Sequence, residues 1–338
     1  MPPRKRGVMN TLYPPGEKPG AAGRMKNHCR RFWWCDLLVI AIIALVIVLP
    51  VIFVAIPKKA QHDINASTLE VTSQEITDPS PDGLHLKLVS LAKSGSDFHP
   101  TLDAFSASLA LEGKDPFLYL NVPETKAEAE TTITVDQDIK FESLDRFVEY
   151  NKVVMGSETF DVYLSGKTKV HQSGLKAISV DYNKKITMKG LNKLQGLNIT
   201  DLKILDKPLS DGSNMVGNVT IDNPSVMTLT LGNVTMNLSV DSNPIGTSLL
   251  PDMVLKPGQN TIPMQSNVNQ STVLTMVVSK YQNAILPLEI VGNSSVVGGQ
   301  HLTYFESAIK ENTIKLDLNV GPALAALGIN PSSLGGGS

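Results

Sequence analysis

Apolar residues follow two patterns along the chain. The first is an unbroken run. From Leu37 to Ile56 the sequence reads LLVIAIIALVIVLPVIFVAI, 20 residues without a charge. At ~1.5 Å per residue, a helix of that length spans roughly 30 Å, the thickness of a bilayer's hydrocarbon core. Buried helices of soluble proteins rarely stay apolar on every side for so long. The run predicts a transmembrane helix, kinked at Pro50, where the backbone has no N–H to donate.

The second pattern is alternation. Beyond Pro57, short runs such as Leu84–Leu88, Thr131–Ile139 and Thr228–Leu231 switch between apolar and polar residues. Turn signals separate them about every ten residues, the spacing of a sandwich or barrel. In the run from Asn233 to Val240, strand periodicity puts Val234, Met236, Leu238 and Val240 on one face. Asn233, Thr235, Asn237 and Ser239 fall on the other, and Asn218/Thr220 against Val219/Ile221 repeats the arrangement. One helix interrupts the strands. Ser143 is placed to cap it, Leu144, Phe147 and Val148 share a face, and Gly156 ends it.

The β-rich part repeats itself at roughly 126 residues. Asp161–Val170 (DVYLSGKTKV) parallels Pro287–Val296 (PLEIVGNSSV), and Thr68–Val71 parallels Gly196–Ile199. Each central glycine, Gly166 and Gly292, follows an apolar strand, so a bulge or tight turn is expected there. The predicted organisation is a basic disordered cytosolic tail over 1–36 and a transmembrane segment over 37–56. Two tandem β-sandwiches over 60–195 and 196–325 follow, then a flexible tail over 326–338.

Charge fixes the expected orientation. The net charge of −2 is distributed unevenly. Residues 1–36 carry eight Lys or Arg against Glu17 and Asp36. Arg24, Lys26, Arg30 and Arg31 precede the span, and Lys58 and Lys59 follow it. The positive-inside rule puts the N-terminus in the cytosol. Phe32, Trp33 and Trp34 suit the membrane boundary. A cleaved signal peptide has a shorter apolar core and a shorter leader, so an uncleaved signal anchor is expected. The remaining chain is acidic overall, which leaves no basic domain face for nucleic acid.

Acceptor sequons agree with this topology. They occur at Asn65, Asn198, Asn218, Asn233, Asn237, Asn269 and Asn293, all after the span. Both cysteines, Cys29 and Cys35, precede it and are palmitoylation candidates, with ordinary thiols as the alternative. A search for chemistry returns little. The six histidines, at 28, 62, 85, 99, 171 and 301, show no metal-ligand spacing. No G-x-S-x-G elbow occurs. Gly166-Lys167-Thr168 lacks the first glycine of a phosphate loop. Asp136 and Asp138 offer a calcium ion two carboxylates, but a solvated strand face is the simpler reading. No catalytic, cofactor or metal residue is expected.

Several stretches resemble a known domain. They are Gly217–Ser225 (GNVTIDNPS), the strand pair to Val240, Ile245-Gly246-Thr247 and Leu255–Asn260 (LKPGQN). This arrangement is similar to the late-embryogenesis-abundant type-2 domain. Arg30–Asp36, Tyr182–Leu194 (YNKKITMKGLNKL) and Leu316–Leu324 extend the likeness to a fungal family of single-pass membrane proteins carrying that domain. The resemblance covers residue 29 to about 328. It implies immunoglobulin-like sandwiches, a vacuolar membrane location and no assigned reaction. The first repeat departs from the pattern, because it lacks the Asn-Pro-Ser turn and appends the helix at Leu144.

The expected protein is therefore mainly β and anchored by a single helix. Its C-terminal region lies in the vacuolar lumen, with the plasma membrane or endoplasmic reticulum as alternatives. Its expected task is non-enzymatic binding. A lipid held between splayed sheets is one expected ligand. A glycosylated scaffold engaging a protein partner is the alternative, and an unrecognised hydrolase a remote one.

Overall fold

The structure is a computed structural model that describes residues 21–329, without the side chains of 21–24 and 27–32. The expectations for residues 1–20, for 330–338 and for the Cys29 side chain lie outside the described residues. The chain divides into two units at the His62/Asp63 junction.

The N-terminal unit is helical. Helix α1 runs over Ala21–Pro50, five residues of wider turn follow over Val51–Ala55, and α2 covers Ile56–Ala66. The expected disordered tail over 1–36 is corrected here, because residues 21–36 are helical. The five prolines before the span all lie at or before Pro19, and the stretch after Gly20 is built from good helix formers. Pro50 produces a local change of pitch. The Ile56 N–H bonds the Val51 carbonyl, five residues back, and this π-type turn absorbs the donor that proline lacks.

The second unit is β. Its first repeat holds β1 (Thr68–Thr77), β2 (Gly83–Lys93), β3 (Thr101–Leu102), β4 (Phe105–Ala110), β5 (Leu118–Val122), β6 (Thr125–Lys126) and β7 (Glu130–Lys140). Helix α3 (Leu144–Gly156), β8 (Thr159–His171) and β9 (Ile178–Lys189) complete it. The second repeat holds β10 (Asn198–Ile204), β11 (Met215–Asn223), β12 (Met227–Val240), β13 (Asn243–Leu255), β14 (Gly258–Val268) and α4 (Gln270–Ser279). It ends with β15 (Ile285–Val297), β16 (Gln300–His301), α5 (Thr303–Glu311), β17 (Thr313–Asn319) and α6 (Gly321–Ala326).

Strand pairing recurs between the halves. β1-β2-β7 matches β10-β11-β14, and β5-β4-β8-β9 matches β13-β12-β15-β17, antiparallel throughout. β8 and β15 are both 13 residues long and lie 126 positions apart, as do the starts of α3 and α4. The helix is therefore no peculiarity of the first repeat. Sequence reading missed α4 because Gln270–Ser279 (QSTVLTMVVS) is rich in β-branched residues that favour strands. Asn269 caps it by accepting from the Thr272 N–H at 3.0 Å.

The repeats are joined. Gln74–Ile76 of β1 pairs in parallel with Met227–Leu229 of β12, which makes one 11-stranded sheet ordered β10-β11-β14-β13-β12-β1-β2-β7, with β15 on β12. The Asn-Pro-Ser turn of the family resemblance sits at this seam. Buried Asn223 accepts from the Ser225 N–H at 2.9 Å and donates to the Met227 carbonyl at 2.7 Å, so its amide replaces backbone pairing through the turn.

An aromatic cluster closes the junction from the other side. Phe141 stacks on Phe147 at 4.1 Å, and Tyr304 of α5 meets Phe147 edge-on at 5.1 Å. Such pairs add about 0.5–1.5 kcal/mol beyond the area they bury. The expected apolar face of α3 is revised. Phe147, Tyr150 and Val154 are buried, Leu144 is exposed, and Ser143 occupies the N-cap without a side-chain bond.

Between the repeats the backbone takes an unusual path. Asn192, Lys193 and Leu194 all have φ near +50°, at a cost of about 1–2 kcal/mol each. The end of α3 holds this segment. Leu191 N–H donates to the Val154 carbonyl at 2.8 Å and Asn192 N–H to the Ser157 carbonyl at 2.9 Å. A Cβ on Gly190 would lie 2.3 Å from the Ser157 oxygen, so the close approach requires glycine.

Candidate functional site

The candidates lie in different parts of the described residues, so each is built from its own elements. The helix comes first. Trp33–Ala66 is 34 residues long and, by length and composition, long and apolar enough to cross a membrane; none of its most apolar window is buried within the protein. Leu37, Pro50 and Ile56 lie on this continuous helix, and Trp33 and Trp34 are exposed near its start. Cys35 is a free, half-buried thiol.

The sandwich interiors were the expected lipid sites. In the first repeat Leu84, Leu86 and Leu88 of β2 face Leu109, Val162 and Leu164 across the core, leaving a cavity of about 40 Å³. In the second, Val219, Met236, Leu250 and Ile290 leave about 30 Å³. Sites for small ligands typically measure ~300–1,000 Å³. The cores are filled by their own side chains, each stabilising the fold by about 1.5–3 kcal/mol when fully buried. A larger recess of about 350 Å³ opens at the linker, lined by Leu191, Asn192, Gln195, Gly196, Asp222 and Pro224. It is open to solvent, and its lining mixes the polar Asn192, Gln195 and Asp222 with Leu191 and Pro224.

The strand alternation places the sequons. Asn65, Asn198, Asn233, Asn237, Asn269 and Asn293 are exposed and Asn218 is half-buried. Asn233 and Asn237 share one face of β12, and Asn293 lies on the adjacent β15. Asn198, Asn233 and Asn269 each accept through Oδ1, which leaves Nδ2, the atom a glycan modifies, outside those bonds. Asn218 instead donates Nδ2 to Asp201 at 3.0 Å. Asn218 is thus expected to show the lowest occupancy of the seven, which glycopeptide mapping measures. Occupancy there matching that of Asn237 would contradict this.

Three polar clusters join residues far apart in sequence. Lys184 is almost fully buried on β9. Its ammonium donates to the Ile64 and Ser67 carbonyls and to Ser67 Oγ, the last at 2.8 Å. It therefore ties Ile64 and Ser67, at the start of the β unit, to β9. Desolvation pushes its pKa down to about 8. An unfolded lysine titrates near ~10.4. Between these values the unfolded chain holds a proton that the folded chain has released, so on this group's account unfolding free energy rises with pH. Lys184→Met is expected to remove that rise, as pH-dependent urea melts will show; an unchanged slope would assign it to another group.

Glu306, largely buried on α5, accepts from the Ser295 N–H at 3.2 Å, from Lys310 at 3.3 Å and from His301 at 2.5 Å. Burial alone raises its pKa, but those donors outweigh burial and hold it below the ordinary value. The fully buried Ser295 hydroxyl donates to the Leu231 carbonyl at 2.7 Å, so the cluster ties β15 to α5 and β12. The third cluster surrounds His85, which lies between Asp136 and Asp138. The two nitrogens face opposite carboxylates, an arrangement that does not converge on a cation. Among the described residues no group of three or more His, Cys, Asp or Glu could hold a metal ion.

The expectation of a bulge or tight turn at Gly166 and Gly292 is met in one repeat. The β12/β15 register slips beside Gly292, between Thr235 and Met236, whereas β8 runs through Gly166 without a slip against β9 or β4. Glycine is required at both places by close packing. A Cβ at Gly166 would lie 2.7 Å from the Phe105 ring, and one at Gly292 would lie 2.4 Å from Ile309.

Comparison with solved structures gives only faint likeness. The periplasmic chaperone SfaE is 8% identical with a TM-score of 0.16, covering 58% of this chain and 86% of its own. An adhesin from Mobiluncus mulieris is 10% identical with a TM-score of 0.19, covering 67% and 81%. Red sea bream transglutaminase is 12% identical with a TM-score of 0.20, covering 65% of this chain and 28% of its own. No curated protein matches. Residues 115–238, from just before β5 into β12, match the family model described as "Protein of unknown function (DUF3712)", which makes this central part of the chain similar to a domain family without an assigned role.

Proposed function

We propose that the protein is a single-pass, membrane-anchored interaction protein whose glycosylated tandem sandwiches engage a protein partner outside the cytosol. One observation carries this reading: an apolar helix unburied by the protein is joined to a β unit whose interiors are already filled. The helix needs a bilayer to cover it. The filled cores leave the outer sheet faces and the linker recess as the surfaces available for recognition. Charge asymmetry and sequon placement support a cytosolic N-terminus. The resemblance to late-embryogenesis-abundant type-2 domains and to a fungal single-pass family belongs to the same proposal. So do the vacuolar membrane as its location and a non-enzymatic task.

The full chain produced in a eukaryotic host tests both parts. It is expected to resist carbonate extraction and to lose mass stepwise under N-glycosidase. A carbonate-soluble, unglycosylated product would overturn the topology. Native mass spectrometry of the deglycosylated chain in detergent is expected to show the polypeptide mass alone. A stoichiometric lipid adduct would replace the protein-partner reading with lipid binding.

A further inference from the structure

The outer face of β2 and β7 carries a device that the proposed function does not use. Register pairs His85 with Asp138 and Lys87 with Asp136. His85 Nδ1 lies 2.8 Å from Asp138 Oδ1, and Nε2 lies 2.9 Å from Asp136 Oδ1. An ionised carboxylate only accepts, and a neutral imidazole has one N–H to give. With a neutral ring, one bare nitrogen would face a carboxylate oxygen, lone pair against lone pair. Only the imidazolium satisfies both contacts.

We infer that His85 is a proton-gated clasp on the edge of the large sheet: charged, it bridges Asp136 and Asp138 and pins the second half of β7 to β2, and neutral, it releases one of them. β7 ends the 11-stranded sheet and pairs along it with β2. Within this sheet the β7 backbone pairs with β2 alone, and from β5 the Asn121 N–H reaches only the Gln137 side chain, at 3.2 Å. The groups around the ring are consistent with the charged form. On β1, Thr77 pairs with His85 and Glu75 with Lys87. On β2, Lys87 stands opposite Asp136 in the register. On β7, Asp136 and Asp138 supply two negative charges, and Lys140 follows at the strand's end. The hydrogen bond to Asp138, joined by that to Asp136, outweighs desolvation and raises the His85 pKa above its ordinary value. The sign follows. A raised folded pKa gives stabilisation that is complete below ~6.5 and is lost as pH rises through the folded value. The edge is thus tighter in an acidic compartment than at neutral pH.

Hydrogen exchange of the full chain in nanodiscs, followed by mass spectrometry at pH 5 and pH 7.5 and corrected for intrinsic rates, tests the clasp. Peptides over 130–140 are expected to be severalfold better protected at pH 5 than at pH 7.5. His85→Gln should erase that difference. His85→Lys, which keeps a cation between the carboxylates at both pH values, should preserve high protection and also erase the difference. Equal protection of the wild type at both pH values would overturn the inference. So would a difference that persists in His85→Gln.

Discussion

Tyr304→Ala is expected to lower stability by about 3–5 kcal/mol, the range for emptying a buried aromatic site. The side chain is fully buried, and it is the part of α5 that enters the aromatic cluster of the first repeat. Its hydroxyl also donates to the Ser80 carbonyl at 3.1 Å, so alanine removes a hydrogen bond as well as packing. For a β unit of this size the midpoint of thermal unfolding should fall by roughly 6–20 °C. The position of the residue makes a second readout informative. Features that join the repeats include the short parallel seam between β1 and β12, the linker held on α3, the Lys152–Glu311 ion pair between α3 and α5, and the aromatic cluster. Removing the cluster's central ring should split one cooperative transition into two, because adjacent repeats melt together only while their interface is strong. A variant that melts in one transition near the wild-type midpoint would show that the seam, linker and ion pair are sufficient.

What the sequence revealed, and what it hid, follows from the range of the interactions involved. Period-two alternation is local, so the buried faces of β2, β7 and β12 were legible from Leu84–Leu88, Thr131–Ile139 and Val234–Val240. The same alternation puts Asn233 and Asn237 outward, where both are exposed. The offset of 126 residues was legible because β8 and β15 share a glycine at the same position in their strands. The contacts that fix the candidate sites are not local. His85 meets carboxylates more than fifty residues away, Lys184 reaches back to Ile64 and Ser67, and Tyr304 reaches Ser80. Nothing in a strand pattern states which edge will lie beside which, so the histidines read singly as surface residues. α5 was missed for another reason. Tyr304, Phe305, Ala308 and Ile309 form a helical apolar face that only nine residues carry, too short a stretch to stand out among strands.

Gly292→Val carries the second large expected effect and separates two reasons a glycine can be needed. At Gly292 the backbone torsion is ordinary, and the constraint is space: the new Cβ would lie 2.4–2.5 Å from Ile309 Cγ1 and Cβ. Ile309 is buried on α5, so relief requires moving the helix that also holds Tyr304 and Glu306. Overpacking of this kind costs about 1–3 kcal/mol, and the added γ-methyls put valine at or above ~3 kcal/mol. Gly299 is the converse case. Its φ of +80° is left-handed, yet nothing lies within 4 Å of its Cβ position. Gly299→Ala should therefore cost only about 1–2 kcal/mol, from torsion alone. Urea unfolding of both variants against the wild type measures the contrast. The neighbouring cluster adds a check, since displacement of α5 should part His301 Nδ1 from Glu306 Oε1 and move the histidine's ring resonances by NMR. Equal losses for the two variants, or an undisturbed His301 in Gly292→Val, would mean that α5 yields without strain and that the glycine at this position in each repeat has another cause.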